Sequence, residues 1–145
     1  MITVRIQTRD FDTGVEINRL EQAAGAVASF TGVVRGDDGL TAMTLEHYPA
    51  MTEAALQAIA AEAERRWPII AGTVIHRVGR LEAGARIVLV AVASRHRQAA
   101  LEACAFLIDW LKTKAPFWKL EEFADGTRRW VDARAEDDAA AKRWD

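Results

Sequence analysis

The sequence predicts an α+β fold built on a mostly antiparallel sheet, and three observations carry that expectation. Strand-like and helix-like segments follow one another in the order β-α-β-β-α-β-β-α-β-β. Several strands are joined directly by short Gly- and Asp-containing turns, so hairpins accompany the strand-to-helix crossings. The 145 residues, half of them hydrophobic and 28% charged, suit one soluble core rather than two domains or a disordered chain.

The elements follow from local pattern. Ile2, Val4 and Ile6 alternate with Thr3, Arg5 and Gln7, the period of a half-buried strand. Asp10 to Gly14 is a turn, and Val15 to Ala24 reads as a short helix. Ala26 to Val34 is a strand that ends in the Gly36-Asp37-Asp38-Gly39 loop, with Met43 to Tyr48 as its expected hairpin partner. After Pro49, the residues Leu56, Ile59, Ala60, Ala63 and Trp67 fall at helical spacing until Pro68 stops the helix. Thr73 to Leu81 and Arg86 to Ala93 read as antiparallel neighbours joined by Glu82-Ala83-Gly84-Ala85. Ser94 is a candidate cap for a helix whose stripe Leu101, Cys104, Ala105, Ile108 and Leu111 ends near Thr113, because Pro116 disfavours continuation. Phe117 to Phe123 and Arg128 to Val131 flank an Asp125-Gly126 turn, and a charged, helix-compatible tail reaches Trp144.

Composition excludes several function classes. With 19 Lys+Arg against 21 Asp+Glu, the net charge of −2 provides no global field for nucleic acid or an anionic membrane, so any anion site must be local. A secretory leader or membrane span is not expected from MITVRIQTRD or from the strand-sized apolar run Ile87 to Ala93. The single Cys104 fits a reducing, cytoplasmic setting and sits on an apolar helix stripe as a buried thiol. GxGxxG, P-loop, HExxH and GxSxG motifs are missing, the three histidines lack metal-ligand spacing, and neither a metal nor another cofactor is expected.

What remains is a local excess of positive charge. Between Arg86 and Lys119 lie Arg86, Arg95, Arg97, Lys112, Lys114 and Lys119, plus His96, against only Glu102 and Asp109. Arg95-His96-Arg97 falls at a strand-to-helix junction, where backbone N–H groups favour an anion; the bland alternative is that these side chains solvate a helix start. Lys112 and Lys119 flank the corner Lys112-Thr113-Lys114-Ala115-Pro116-Phe117-Trp118-Lys119, which could turn both inward, although lysines at a helix C-terminus also complement its dipole. Two ammonium groups brought together out of water would press one toward neutrality, giving a base or nucleophile. Arg35, beside the Gly-Asp-Asp-Gly loop, is either an anion ligand or a surface charge. His47 and His76 read as structural or exposed, and most of the five tryptophans read as packing residues.

Phe30-Thr31-Gly32-Val33-Val34-Arg35, Leu45-Glu46-His47-Tyr48-Pro49, His96-Arg97, Lys112-Thr113-Lys114-Ala115-Pro116-Phe117-Trp118-Lys119 and Trp130-Val131-Asp132-Ala133-Arg134 together resemble, in order, the signature blocks of the catalytic large subunit of molybdopterin synthase. The likeness runs from about Gly25 to Trp144, and the Lys112 to Lys119 block is its most specific part. The resemblance implies one large-subunit domain over 1–145, an α/β-hammerhead with a small additional β subdomain, with a β-hairpin region at about 116–134. It implies a central homodimer within a heterotetramer, each end carrying a small ubiquitin-like subunit that brings sulfur as a thiocarboxylate on its C-terminal Gly-Gly tail. The substrate implied is cyclic pyranopterin monophosphate, converted to the molybdopterin dithiolene by two sulfur insertions. Residue by residue, Lys112 matches the main catalytic lysine and Lys119 the second; Arg35, His96, Arg97 and Arg134 match the cationic pocket for phosphate and carrier tail, with Phe30 and Phe117 as candidate walls. Two other classes remain at this point. Persistence of both lysines argues against a non-catalytic module for a ubiquitin-like tail, and the acidic total and missing aromatic pattern argue against an RNA-binding domain.

Overall fold

The computed structural model describes residues 1–131 and 135–145, so Arg134 lies outside the described residues. The elements run β1 (Ile2–Gln7), α1 (Thr13–Glu21), β2 (Ala26–Val33), a 3-10 turn (Asp37–Gly39), β3 (Leu40–Glu46), α2 (Pro49–Arg66), β4 (Ala71–Arg77), β5 (Gly79–Glu82), β6 (Arg86–Ser94), α3 (Arg97–Lys114), β7 (Trp118–Phe123), β8 (Arg128–Trp130) and α4 (Ala135–Lys142). They form the expected α+β architecture, with two sheets ordered β1-β4-β6-β2 and β5-β3-β7-β8. The β1–β4 pair is parallel and every other pair antiparallel.

The first sheet is buried on both faces, as the near-continuous apolar run of β6 requires. Val88, Val90 and Val92 join Val74, Ala28 and the apolar faces of α2 and α3 in one core. Leu89, Ala91 and Ala93 point the other way, with Ile75, Phe11 and Leu20 beneath α1. Full burial of each large aliphatic side chain is worth about 1.5–3 kcal/mol. α1 starts where Asp12 accepts a 3.0 Å hydrogen bond from the Val15 N–H, and α2 starts with Pro49 in its first turn. The tryptophans expected to pack do so around α3: Trp67, Trp110 and Trp144 surround Phe106, and Trp144 ties the C-terminal segment to Asp109 through a 2.7 Å bond.

Three local expectations need correction. β3 does not pair with β2; it pairs with β5 and β7 in the second sheet, because Val34 closes hydrogen bonds to the Glu82–Ala85 turn and the 3-10 turn then redirects the chain. Thr73 to Leu81 is not one strand: Gly79, at φ 89°, breaks it into β4 and β5, which belong to different sheets. Ser94 does not cap α3; its hydroxyl donates to the Pro68 carbonyl at 2.8 Å, and His96 occupies the cap position without a side-chain bond. Within the expected 116–134 hairpin region, whose residues 132–134 lie outside the described residues, β7 and β8 form a hairpin that joins β3 and β5 over a small core of Val34, Leu40, Leu45 and Leu81. Among the described residues no helix is long and apolar enough to cross a membrane.

Candidate active site

The corner after α3 is built by its own sequence. Ile108, Leu111, Lys112 and Ala115 occupy one helical face at i, i+3, i+4 and i+7. Ala115 leaves the helix at φ −80°, ψ 129°, the extended conformation demanded before Pro116, and the Phe117 N–H bonds back to the Ala115 carbonyl at 3.0 Å. β7 then starts, with Lys119 opposite Leu45 of β3. Phe117 and Ile87 touch both the main core and the small one, so the corner lies at the seam between the two sheets.

At this seam Lys112, Lys119 and Phe117 line one small cavity of about 50 Å³. Aliphatic residues complete its wall, Ile87 and Val88 from β6 and Ile108, Leu111 and Ala115 from the end of α3. The ninth lining residue is His76 of β4. It stands opposite Val88 in the ladder and shares a face with Val74, toward α3. Phe117 stacks on its ring, with centroids 3.9 Å apart and an interplanar angle of 19°. His76 Nδ1 lies 2.9 Å from the Arg77 carbonyl oxygen; a carbonyl only accepts, so the proton is on Nδ1 and the lone pair on Nε2. Burial pushes the imidazole down to about 3, and the nearby charges of Lys119, Lys112 and His47 act in the same direction. The ring is therefore neutral at ordinary pH.

His47 is a second neighbour of Phe117, its ring centroid 6.0 Å away, and contacts Thr52 Oγ1 through Nδ1 at 3.1 Å. Thr52 Oγ1 donates its own proton to the Tyr48 carbonyl, so it accepts from His47 Nδ1. His47 also borders a second, open groove of about 720 Å³ between the end of β1 and the start of α2, where Arg9 and Glu53 mix charges.

Reading the sequence missed both histidines as neighbours of the lysines. For His76 the signal was present: alternation with Val74 puts a polar ring on a face otherwise buried against helices.

The remaining candidates stand elsewhere. Lys114 points to another face of α3, its Nζ 4.5 Å from the Trp110 ring centroid. Arg35 follows β2 at the same end of the sheet as the cavity but outside its lining, exposed and 3.8 Å from Asp37. Phe30, 38% exposed on the edge strand β2, is also outside the lining. His96 and Arg97 are exposed at the start of α3, about 24 Å along the helix from Lys112. Within one chain the structure thus joins Lys112, Lys119 and Phe117 and leaves the His96-Arg97 pair at the far end. Arg86 is held by Asp10 through bonds of 3.1 and 3.0 Å. Cys104 is buried, and burial pushes its thiol up to about 11. Among the described residues no cluster of His, Cys, Asp or Glu could hold a metal ion.

Chemically, two lysines and a neutral imidazole in one small cavity make a site for an anionic reactant, with lysine as the group able to exchange a proton.

Comparison with known proteins supplies the family. The model of the MoaE protein family matches residues 6–114. A molybdopterin synthase catalytic subunit of Pseudomonas aeruginosa is 52% identical over 150 aligned positions, covering 99% of each chain. The solved structure of a molybdopterin biosynthesis MoaE protein from Burkholderia ambifaria superposes at a TM-score of 0.84 with 54% identity, covering 99% of this chain and 98% of that one. A molybdopterin synthase structure from Staphylococcus aureus matches at 0.77 with 32% identity, covering 88% and 96%. A match over three quarters of the residues and near-complete overlap with relatives at half identity place the chain in the MoaE protein family.

Proposed function

We propose that the chain is the catalytic subunit of a molybdopterin synthase, a sulfurtransferase that moves sulfur from the C-terminal thiocarboxylate of a small carrier subunit onto cyclic pyranopterin monophosphate. The observation that carries this reading is the shared cavity of Lys112, in the last turn of α3, and Lys119, in β7, with the Pro116 corner between them. The Pseudomonas relative supports it by name, and the word subunit in that name speaks for a partner.

The cavity's size limits what enters it. About 50 Å³ admits a reacting group but not a pterin, since whole-ligand pockets run to roughly 300–1,000 Å³. Substrate therefore lies across the mouth and presents its side chain to the lysines. Lys112, in the last turn of α3, serves as general acid/base or transient nucleophile, and Lys119 assists and orients the pterin. Both reactants are anionic, so clustered cations offset their repulsion and hold them in line, which can remove several kcal/mol of barrier. Arg35 at the same end of the sheet adds to that cationic rim. His96 and Arg97 reach a lysine cavity only if another copy supplies them, as the proposed homodimer would allow.

The test is reconstitution with thiocarboxylated carrier and cyclic pyranopterin monophosphate, with dithiolene formation as the readout. Lys112→Ala is expected to lose turnover while retaining fold and carrier binding. Lys114→Ala, whose ammonium sits over Trp110, is expected to be mild. A folded Lys112→Ala chain with near-normal product formation would overturn the assignment.

A further inference from the structure

We propose that two copies of the chain join edge to edge through β2, and that this seam carries His96 and Arg97 of one copy to the lysine cavity of the other. The inference deepens the sulfurtransferase reading and rests on it.

The first observation is an unguarded sheet edge. Among the described residues the two sheets end in four strands, β1 and β2 in one and β5 and β8 in the other. Charge protects natural edges, and three of these carry it: Arg5 in β1, Arg80 and Glu82 in β5, Arg128 and Arg129 in β8. The Glu64 carboxylate also covers the Ile2 N–H of β1 at 3.0 Å. β2 has no charged residue over its 8 positions, and Phe30 and Val33 on it are 38% and 46% exposed. Such an edge accepts another strand.

The second observation is the flank of α3 on that side. α3 packs over β2 and β6 and against α2, with Glu102 and Phe106 turned toward Trp67 at the end of α2. Arg97, Leu101, Ala105, Ile108 and Lys112, spaced i, i+4, i+8, i+11 and i+15, share the flank away from α2. Leu101 is 59% exposed there. This stripe has an apolar middle and a cation at each end, so it is complementary to its own reverse.

The two features share one centre. The middle of β2 is Ser29 and Phe30, the middle of the stripe is Ala105, and the neighbouring Cys104 Sγ lies 3.9 Å from the carbonyl oxygen of Val90, the ladder partner of Phe30. A two-fold axis perpendicular to the sheet at that centre pairs β2 antiparallel with its copy and lays the two α3 flanks antiparallel on the same side. With Ser29 facing itself, Ala26 faces Gly32 of the second copy. Ala26 pairs with Ser94, just before His96 and Arg97, and Gly32 pairs with Val88, which lines the lysine cavity. Strands about 4.8 Å apart set the two helices roughly 10–14 Å from each other, so Arg97 of one copy comes beside Lys112 of the other, where a shared anion offsets their repulsion. A strand from the carrier would satisfy the edge but leave His96 and Arg97 without a lysine cavity; self-pairing satisfies both.

The experiment uses the full chain. Leu101→Glu is expected to keep its circular dichroism and to raise the dimer dissociation constant at least about tenfold in analytical ultracentrifugation, with turnover in the reconstituted assay falling in step with the dimer fraction. Ala58→Glu adds the same charge at an exposed position of α2 and is expected to change neither. Ser29→Cys is expected to give a covalent dimer with a short bismaleimide, since Cys104 is buried, whereas Thr3→Cys on the β1 edge is not. An unmodified chain that stays monomeric in the presence of carrier overturns the proposal. So does a Leu101→Glu dimer as tight as the wild type, a crosslink at Thr3→Cys in place of Ser29→Cys, or a monomeric Leu101→Glu chain with full turnover. Loss of carrier binding by Leu101→Glu with the dimer intact also overturns it, because the edge would then belong to the carrier. If Leu101→Glu fails to fold, the Ser29→Cys crosslink decides. If the unmodified chain makes no dithiolene, the functional reading fails instead, and ultracentrifugation and crosslinking still decide the seam.

Discussion

At the scale of single residues, His76 links stability to the site. Its native value is pushed down to about 3 from an ordinary 6.5, so between those limits the unfolded chain binds a proton that the folded chain refuses. The stabilisation is complete above 6.5 and is lost as pH falls toward 3, at up to about 1.4 kcal/mol per pH unit. Urea unfolding of the wild type is therefore expected to weaken more steeply between about pH 7 and pH 4 than that of His76→Gln, which has no imidazole to charge. Parallel pH dependences in the two proteins would show that His76 is not buried neutral. The same residue marks how far the site was legible in the sequence. Lys112, Lys119 and Phe117 were recognisable because a proline corner and a block of fixed spacing keep them within one short stretch. His76 comes from 36 positions before Lys112 and reaches it only through the β4–β6 ladder, a long-range pairing that local pattern does not encode.

Among the elements, local signals located nearly every strand and helix but not every partner. Helix α3 ended where Pro116 required, and the Asp125-Gly126 turn produced the β7–β8 hairpin. The β2–β3 connection looked like a hairpin loop because Gly-Asp-Asp-Gly is turn chemistry; its use for changing sheets depends on bonds between Val34 and the Ala83–Ala85 segment. Gly79 was the available clue to the split strand, since a lone glycine in a strand pattern marks a bend. Gly25 has a comparable role at the start of β2. A Cβ there would sit 2.6 Å from the Arg95 carbonyl oxygen, a clash with backbone rather than with a yielding side chain. Gly25→Ala is expected to cost about 1–3 kcal/mol and to displace the β6–α3 junction that bears His96 and Arg97. A thermal melt indistinguishable from wild type would show that the two segments can separate without loss.

For the whole molecule, the decisive feature is the separation of two cationic centres by the length of α3. Lys112 and Lys119 lie at the seam between the sheets, and His96 and Arg97 lie about 24 Å away along the helix axis. No side-chain rearrangement spans that distance, whereas a two-fold pairing of chains can set the start of one α3 beside the end of another. The proposed homodimer makes a sharp prediction from this geometry. Lys112→Ala and Arg97→Ala should each be inactive alone. In a mixed dimer, one site would combine the intact lysine of one chain with the intact arginine of the other, and the second site would carry both defects. Random re-pairing of equal amounts is then expected to restore about a quarter of wild-type turnover. If each site were contained within one chain, every site in the mixture would keep one defect and no activity would return. Native mass spectrometry, run beside the assay, establishes that mixed dimers have formed, so an inactive mixture containing them would assign His96 and Arg97 to a function away from the lysine cavity.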